Sequence, residues 1–321
     1  MSKENGIFPA DLSQVKTYPL RERKNKVSVS DFASPPIADQ SISDWLKTLP
    51  KILAGNSFRE LINAIVTARA KSRPVIVMMG GHVIKCGLSP IVISMMENGI
   101  LTGAAMNGAA SIHDFEIAII GETSEDVGTN IATGMFGMWE ETGKLMNEAI
   151  KDGQNQNIGM GESLGRKLID LQAPYQNVSI LASAFRLNIP LTVHVAIGTD
   201  IIHQHPDADG SAIGQTSFTD FRIFVSEVAN LDGGVLLNFG SAVIMPEVFL
   251  KALSITRNIG HKVTEFTTAN FDMFQHYRPN ENIVKRPTNM GGKGYSITGH
   301  HEIMIPLLAY AVMDEMRTIK Q

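Results

Sequence analysis

The sequence predicts an α/β fold: a mostly parallel sheet with helices on both faces. Short continuous apolar runs, such as residues 74–79, are typical of strands buried on both sides. Glycine or polar residues such as Gly80 and Asn107 end these runs, and segments of helical length lie between them. A strand, a turn, a helix and a further strand in this order form the repeating unit of a parallel sheet.

Along the chain, the apolar runs predict strands over residues 74–79, 100–106, 193–197, 234–239 and 262–267. Ser41 or Ser43 is predicted to cap a first helix that contains Trp45. Further helices are predicted over 58–68, 89–97, 124–150, 161–172, 178–187, 217–230, 246–259 and 303–313.

Residues 1–38 contain four prolines and a basic cluster, which predicts an irregular N-terminal arm. The arm either lies on the surface or reaches a neighbouring subunit. Residues 39–321 contain no internal repeat and no low-complexity linker, so a single α/β domain is expected there.

Composition excludes several classes of protein. The 321 residues are 44% apolar and 19% charged, which excludes disorder for the bulk of the chain. The net charge of −4 gives no electrostatic footprint for nucleic acid or an anionic membrane. No apolar run suits a signal peptide or a membrane span. The single cysteine, Cys86, cannot form an internal disulfide, so a cytoplasmic location is expected.

Polar residues follow the predicted strands, where ligands of an open parallel sheet bind. The residues that we expect to hold a nucleotide cofactor are Gly80, Gly81, His82, Asn107, Gly108, Asp114, Asp200, Gly240, Ser241, Thr268 and Asp272. The glycine pattern Gly-x-Gly-x-x-Gly does not follow the first strand. Tight turns without a ligand are therefore the alternative.

His113 and Asp114 lie where a strand gives way to a helix. A carboxylate beside a histidine fixes its tautomer and raises its basicity, which makes His113 a candidate catalytic residue. Asp114 is also suited to capping the following helix, and the two roles are compatible. In the segment 121–126, Thr123 or Ser124 is predicted to cap a helix.

Asp200, His203 and His205 form a loose set of potential metal ligands. The helical His-x-x-x-His pattern is absent and Cys86 has no partner cysteine, so no metal is expected. Histidines that bind a substrate or satisfy a loop are the preferred interpretation.

A basic, glycine-rich segment spans residues 280–295. It is either a mobile lid over the active site or a solvated loop. Lys285 is its candidate catalytic residue, because a lysine in a partly dry site loses its proton and can form a Schiff base.

In order and spacing, the chain resembles the deoxyhypusine synthase family over roughly residues 70–286. The segments that carry the resemblance are 80–87, 106–114, 190–205, 238–247, 266–272 and 279–285. The resemblance implies a Rossmann-like NAD-binding fold and a homotetramer with sites between subunits. In that family NAD oxidises the polyamine spermidine, and a lysine then carries the butylamine group as an imine.

By position, the resemblance makes Asn107, Asp114, Asp200, Ser241, Thr268 and Asp272 cofactor contacts. It makes Glu281 the contact for the substrate amine and Lys285 the imine-forming lysine. Ile112 and His113 stand where the family has paired acidic residues, and residues 273–276 replace an acidic cluster. A changed substrate is therefore expected.

Residues 106–116 also resemble a segment of the archaeal-type ornithine cyclodeaminase domain, with Asn107, His113, Asp114 and Glu116 in the same order. Together the two resemblances predict an NAD-dependent transferase that oxidises a small amine or amino acid to an imine and transfers a group. His113 or Glu281 would take the proton. A deaminating lyase and a non-catalytic nucleotide-binding protein are the alternatives.

Overall fold

A computed structural model, which describes residues 8–319, contains one sheet of six parallel strands. The order across the sheet is β3-β2-β1-β4-β5-β6. The first seven residues of the predicted arm lie outside the described part of the chain. The strands are β1 Val75–Met79, β2 Gly103–Asn107, β3 Leu191–His194, β4 Val235–Phe239, β5 Thr267–Asp272 and β6 Lys293–Thr298.

The strand register aligns the carboxyl ends at one side of the sheet, which we call the carboxyl edge. Met79 of β1 pairs with Met106 of β2 on one side and with Phe239 of β4 on the other. The strand order reverses between β1 and β4, since β2 and β3 lie to one side and β5 and β6 to the other. In open parallel sheets such a reversal point is where ligands bind.

Helices cover both faces of the sheet, as predicted. They are α1 Ile42–Thr48, α2 Leu53–Ala70, α3 His82–Lys85, α4 Ser89–Glu97, α5 Gly108–Ile120, α6 Val127–Ile131, α7 Glu140–Gln156, α8 Met160–Asp170, α9 Ile180–Leu187, α10 Gly210–Ala229, α11 Ile244–Asn258, α12 Tyr277–Pro279 and α13 His301–Ile319. A π-helical segment, Asn280–Lys285, continues α12.

Two apolar clusters mark the two faces. Val77 of β1 packs in one cluster with Phe115 of α5, while its neighbour Ile76 packs in the other with Phe224 of α10 and Ile283 of the π-helical segment. The alternation follows from the period of two along a strand. All five residues of β1 are buried, which explains its uninterrupted apolar sequence.

Three predicted elements are wrong. The fifth strand lies at Thr267–Asp272 rather than 262–267, because its polar residues pair as a buried ladder with β4 and β6. Within the predicted lid, Lys293–Thr298 forms β6, which pairs with β5. The long helix predicted over 124–150 is two helices, α6 and α7.

Residues 8–38 contain two short 3₁₀ turns, Leu20–Glu22 and Val29–Asp31, and almost all of their side chains are exposed. Ser41 caps α1 by accepting a hydrogen bond from the Asp44 N–H at 3.0 Å, as predicted. Over residues 8–319, no helix combines the length and the apolar character that crossing a membrane requires.

Candidate functional site

Two turns meet where the strand order reverses: the β1 turn, residues 80–82, and the β4 turn, residues 240–241. Glycines in both turns allow this close approach. A β-carbon on Gly80 would stand 2.9 Å from the carbonyl oxygen of Gly240, closer than real β-carbons approach. Gly240 itself has a φ of +65° and packs against the ring of His301. Larger side chains are therefore excluded at both turns, so the two turns pack directly against each other and against His301.

His301 begins α13 and is buried. Its Nε2 donates a hydrogen bond to the carbonyl oxygen of Phe271, at the end of β5, at 3.0 Å. The exposed ring of His82, which follows the β1 turn, lies 5.6 Å from the His301 ring between centroids. Two imidazole rings thus flank the glycine turns.

His113 lies on the first half of α5 and faces the β1 turn. A β-carbon on Gly81 would stand 2.8 Å from His113 Cδ2, so the absence of a side chain at Gly81 makes room for the ring. His113 lines a cavity of about 240 Å³ at the carboxyl edge. The other side chains that give this cavity its chemistry are Lys85, Glu116, Glu125, Phe136, Trp139 and Asp200.

A hydrogen-bonded network holds His113 from behind. Its Nδ1 lies 2.7 Å from the Thr123 hydroxyl, and that hydroxyl donates to Glu116 Oε2 at 2.5 Å. The Thr142 hydroxyl donates to the other carboxylate oxygen of Glu116 at 3.1 Å. Thr123 was predicted to cap a helix, but Asp126 caps α6 and Thr123 binds His113 instead.

Burial shifts the pKa values of the ionisable groups in the cavity. It lowers the pKa of His113, with a further contribution from the Lys85 charge. It raises the pKa of Glu116 against the opposing effect of its hydroxyl partners. Burial also raises the pKa of Asp200 to about 6. Burial thus disfavours the charged form of all three groups, and ionisable groups with perturbed pKa values in a cavity are candidates for proton transfer.

Asp200 and His203 face each other beside the start of α5. Asp200 Oδ2 lies 3.9 Å from His203 Nε2, and neither atom has a hydrogen-bond partner in residues 8–319. Only 6% and 5% of the two side chains are exposed. His203 Nδ1 accepts from the Gly198 N–H at 3.1 Å, so Nε2 carries the proton of the neutral ring. A ligand hydroxyl between them would satisfy both.

Asp114, predicted as a cofactor contact, is fully buried and its carboxylate is already bonded to another helix. Its buried carboxylate accepts hydrogen bonds from the Ser179 hydroxyl at 2.6 Å and from the backbone N–H groups of Ile180 and Leu181 at 2.8 and 2.9 Å. It therefore binds the N-terminus of α9 and neither orients His113 nor caps α5. Asn107 caps α5 by accepting from the Ala110 N–H.

Thr268 is also misplaced in the predicted cofactor set. It is the second residue of β5, is fully buried, and donates to the carbonyl oxygen of Ile283 at 2.7 Å. The carboxyl end of β5 is Asp272, which does lie at the carboxyl edge. Ser241 lies there too, but its hydroxyl accepts from the Met245 N–H at the start of α11.

Glu281 and Lys285 do not join His113. They form an ion pair of 2.8 Å on the π-helical segment, and 67% of the Lys285 side chain is exposed. Ile283, between them, packs on the face of the sheet opposite α5. A Schiff base on Lys285 at the His113 cavity is therefore not supported within one chain.

A larger cavity, of about 470 Å³, lies at the amino ends of β5 and β6. Three of its polar side chains pair with each other: Tyr295 donates to Glu60 Oε2 at 2.5 Å, and Lys293 lies 4.0 Å from the same oxygen. The smaller cavity at the carboxyl edge is lined by the oriented His113 and by Asp200, whose Oδ2 has no partner among residues 8–319, so it is the better candidate. In residues 8–319, no three His, Cys, Asp or Glu side chains converge on a metal position.

Sequence reasoning missed His301 and the roles of Thr123 and Thr142. The alternation of Tyr295 and Ile297 with polar residues is typical of a strand, β6. Recognising that strand would have placed His301, which follows it, at the carboxyl edge. The two threonines come from a loop and from α7, and no spacing rule connects them with α5.

No family model matches this chain, and no curated protein is significantly similar to it in sequence. Solved structures do match. A conserved protein of Methanococcus maripaludis S2 that carries the designation LOR/SDH is 16% identical, with a TM-score of 0.50 over 90% of this chain and 74% of that one. AgrE, solved as a ternary complex with ornithine and NAD⁺, is 10% identical, with a TM-score of 0.53 over 81% of this chain and 33% of that one.

A protein of Entamoeba histolytica assigned as a deoxyhypusine synthase is 11% identical, with a TM-score of 0.49 over 86% of this chain and 94% of that one. This chain spans only about a third of AgrE. At these identities the likeness to the first two proteins establishes the fold, a Rossmann-like parallel sheet, and confirms the predicted fold class.

Proposed function

We propose that this chain is an NAD-dependent enzyme that oxidises a small amine or amino acid to an imine at the carboxyl edge. One observation carries the proposal. A half-buried histidine, His113, is oriented by a hydrogen bond and contacts the β1 turn at Gly81. The contact lies where the strand order reverses, in a sheet whose order is typical of dinucleotide-binding folds.

The residues at this edge suit NAD. Gly80 and Gly240 allow the turns after β1 and β4 to pack closely, and the partly exposed Gly81 and Gly240 present backbone without side chains there, as a dinucleotide requires. Asp200 Oδ2 and His203 Nε2, both buried and unsatisfied among the described residues, suit a ribose hydroxyl that donates to one and accepts from the other. When bound, NAD⁺ would supply the hydride acceptor.

The cavity suits a cationic amine. Glu116, Glu125 and Asp200 line it, against the single cationic side chain of Lys85, and carboxylates are the natural partners of an ammonium group. Trp139 adds an aromatic ring to the wall, which favours a cation. AgrE, the ornithine and NAD⁺ complex with the same fold, agrees with this choice of ligands.

In the proposed reaction, His113 Nε2 takes one proton from the substrate ammonium nitrogen and becomes an imidazolium. The neutral amine then loses a hydride from its carbon, and the nitrogen lone pair forms the C=N bond of an iminium ion. The proton is on His113 and the electron pair has left with the hydride, so the step balances. The loss of surrounding water favours the uncharged amine that this step needs.

Two fates of the iminium remain as proposals. Transfer of a group, as in the deoxyhypusine synthase type, would need a lysine to receive it. Lys285 is largely exposed, on a π-helical segment whose Ile283 packs on the face of the sheet opposite α5. A homo-oligomer in which another copy supplies that lysine would restore this route. Elimination of ammonia by a deaminating lyase needs no lysine, and the grouping of His113 with Glu116 in one cavity favours it.

The first test is titration of NADH, followed by its fluorescence. We expect binding by the native chain and by Gly214→Ala, because a β-carbon at Gly214 meets open space. Gly80→Val places side-chain carbons against Gly240 and should weaken binding about tenfold or more, which corresponds to about 1.4 kcal/mol. Failure of the native chain to bind NAD⁺ or NADH contradicts the proposal.

A substrate screen then separates the two fates. L-ornithine, L-arginine and spermidine are incubated with NAD⁺, and NADH and ammonia are both measured. Release of ammonia without net NADH indicates the lyase, whereas capture of substrate on Lys285 by borohydride indicates transfer. NADH binding without turnover of any amine would support the non-catalytic alternative.

A further inference from the structure

The hydrogen bonds behind His113 have only one consistent direction when Glu116 is ionised. Glu116 then accepts at both oxygens, from the Thr123 and Thr142 hydroxyls. A threonine hydroxyl has one proton to donate and lone pairs that accept. Because the Thr123 proton goes to Glu116, the contact of 2.7 Å with His113 requires Nδ1 to donate.

We infer that Glu116 and Thr123 are positioning residues that fix neutral His113 as the Nδ1–H tautomer and leave Nε2 as the free base of the cavity. Only the role of Nε2 as the acceptor of the substrate proton rests on the proposed function. The tautomer itself is a property of the unliganded chain.

The position of Nε2 agrees with this role. A β-carbon on Gly81 would lie 3.4 Å from Nε2 and 2.8 Å from Cδ2, so the unbonded edge of the ring faces the β1 turn. Nδ1, at the opposite side, faces Thr123. The ring therefore presents its lone pair toward the carboxyl edge, where the substrate is proposed to bind.

The arrangement also stabilises the ring after it has taken a proton. The imidazolium keeps its Nδ1–H bond to Thr123, and the Glu116 carboxylate, one hydroxyl away, compensates the new charge. Lys85 of α3 opposes that charge, and Asp200 and Glu125 line the same cavity. Asp114, adjacent in sequence, takes no part, since α9 occupies its carboxylate.

The direction of the network depends on the charge of Glu116. A neutral side chain at this position can donate to Thr123, and the Thr123 hydroxyl can then donate to Nδ1. The proton of the neutral ring would move to Nε2, which is also the preferred site in free histidine. Glu116→Gln should therefore reverse the network with little change in shape.

The test is two-bond ¹⁵N–¹H NMR of the histidine-labelled, unliganded chain above the pKa of His113, with the signal assigned by its loss in His113→Asn. We expect the Nδ1–H tautomer in the native chain and in Thr123→Ser, which keeps the hydroxyl. We expect a majority of the Nε2–H tautomer in Thr123→Val and Glu116→Gln. Asp114→Asn, which alters the carboxylate that the sequence predicts as the partner, should leave the tautomer unchanged.

A native His113 in the Nε2–H form overturns the inference, whether or not any variant folds. So does retention of Nδ1–H in a folded Thr123→Val, with folding judged by its melting curve. Because no nucleotide is present, the result does not depend on NAD binding. A fixed Nδ1–H tautomer in a chain that binds no NADH would leave the inference standing and remove the proposed function alone.

Discussion

Gly81 packs so closely against the His113 ring that a single additional carbon on Gly81 would overlap the ring. A β-carbon on Gly81 would lie 2.8 Å from His113 Cδ2, so the β1 turn and the α5 histidine depend on each other. This contact joins the turn that is expected to hold the dinucleotide with the base that is expected to act on the substrate.

Gly81→Ala should therefore displace the His113 ring. The backbone at Gly81 is in the right-handed helical region, so alanine is tolerated there and the effect comes from the side-chain contact. We expect the His113 pKa to rise as the ring becomes more solvated, and NADH affinity to fall about tenfold. NMR titration of His113 and NADH fluorescence measure the two effects. Gly214→Ala is the matched control, and an unchanged His113 pKa in Gly81→Ala would contradict the account.

Asp114→Ala should destabilise the fold. It removes the acceptor of three buried hydrogen bonds at the start of α9, which we expect to cost about 2–4 kcal/mol of unfolding free energy. Asp126→Ala removes the exposed cap of α6 and should cost about 1 kcal/mol or less. Urea unfolding measures both. Loss of NADH affinity in Asp114→Ala without loss of stability would instead indicate the cofactor contact that the sequence predicts.

Asp220 should make stability depend on pH. Its buried carboxylate accepts from the N–H groups of Gly161 and Val193 at 2.8 and 2.7 Å, and burial raises its pKa from 3.8 to about 8. The native state then holds a proton between these two values that the unfolded state has released. Its contribution to stability is greatest below the lower value and decreases as pH rises toward 8, by at most about 1.4 kcal/mol per unit.

Asp220→Asn keeps an oxygen acceptor and removes the titration. The difference in unfolding free energy between Asp220→Asn and the native chain should therefore grow in favour of the variant from pH 5 to pH 8. Urea unfolding at several pH values gives this difference. Gly214→Ala, which changes no titratable group and whose β-carbon meets open space, should leave the pH slope unchanged. A constant difference between Asp220→Asn and the native chain would contradict the raised pKa.

Lys285→Ala should have little effect on NADH binding or stability. Lys285 is largely exposed and paired only with Glu281 among the described residues, and exposed ion pairs contribute about 1 kcal/mol or less. Equal NADH affinities in fluorescence titrations of Lys285→Ala and Lys251→Ala, another exposed lysine in an i,i+4 pair, would agree with the account. A specific loss of binding in Lys285→Ala would indicate that another copy of the chain brings this lysine to the carboxyl edge.

The sequence predicted the fold class because buried parallel strands carry a strong local signal. Val75–Met79 is fully buried and apolar, Val235–Phe239 is buried and apolar except for Asn238, and the sequence predicts both strands to within a residue. Thr267–Asp272 was misplaced because its Thr268 and Asn270 are polar side chains buried in the sheet, where they bind Ile283 and Asn238. Local hydrophobicity cannot reveal such pairs.

For the candidate site, the sequence predicts roles for His113 and for the turn at Gly81, but it pairs the histidine with the wrong carboxylate. Adjacent residues on a helix point in different directions, so Asp114 reaches α9. Glu116 lies three positions after His113, on the same side of α5, and meets it through Thr123. Helical spacing thus favours Glu116, while the bridging threonine is visible only in three dimensions.

Amide hydrogen exchange with and without NAD⁺ tests the central claim most directly, because it locates the cofactor on the chain. The account predicts slower exchange at the turns 80–82 and 240–241 and in the loop 198–203. It predicts no change at residues 291–293, beside the larger cavity at the amino ends of β5 and β6. Protection confined to the amino ends of the strands, or no protection at saturating NAD⁺, would contradict the assignment of the carboxyl edge as the nucleotide site.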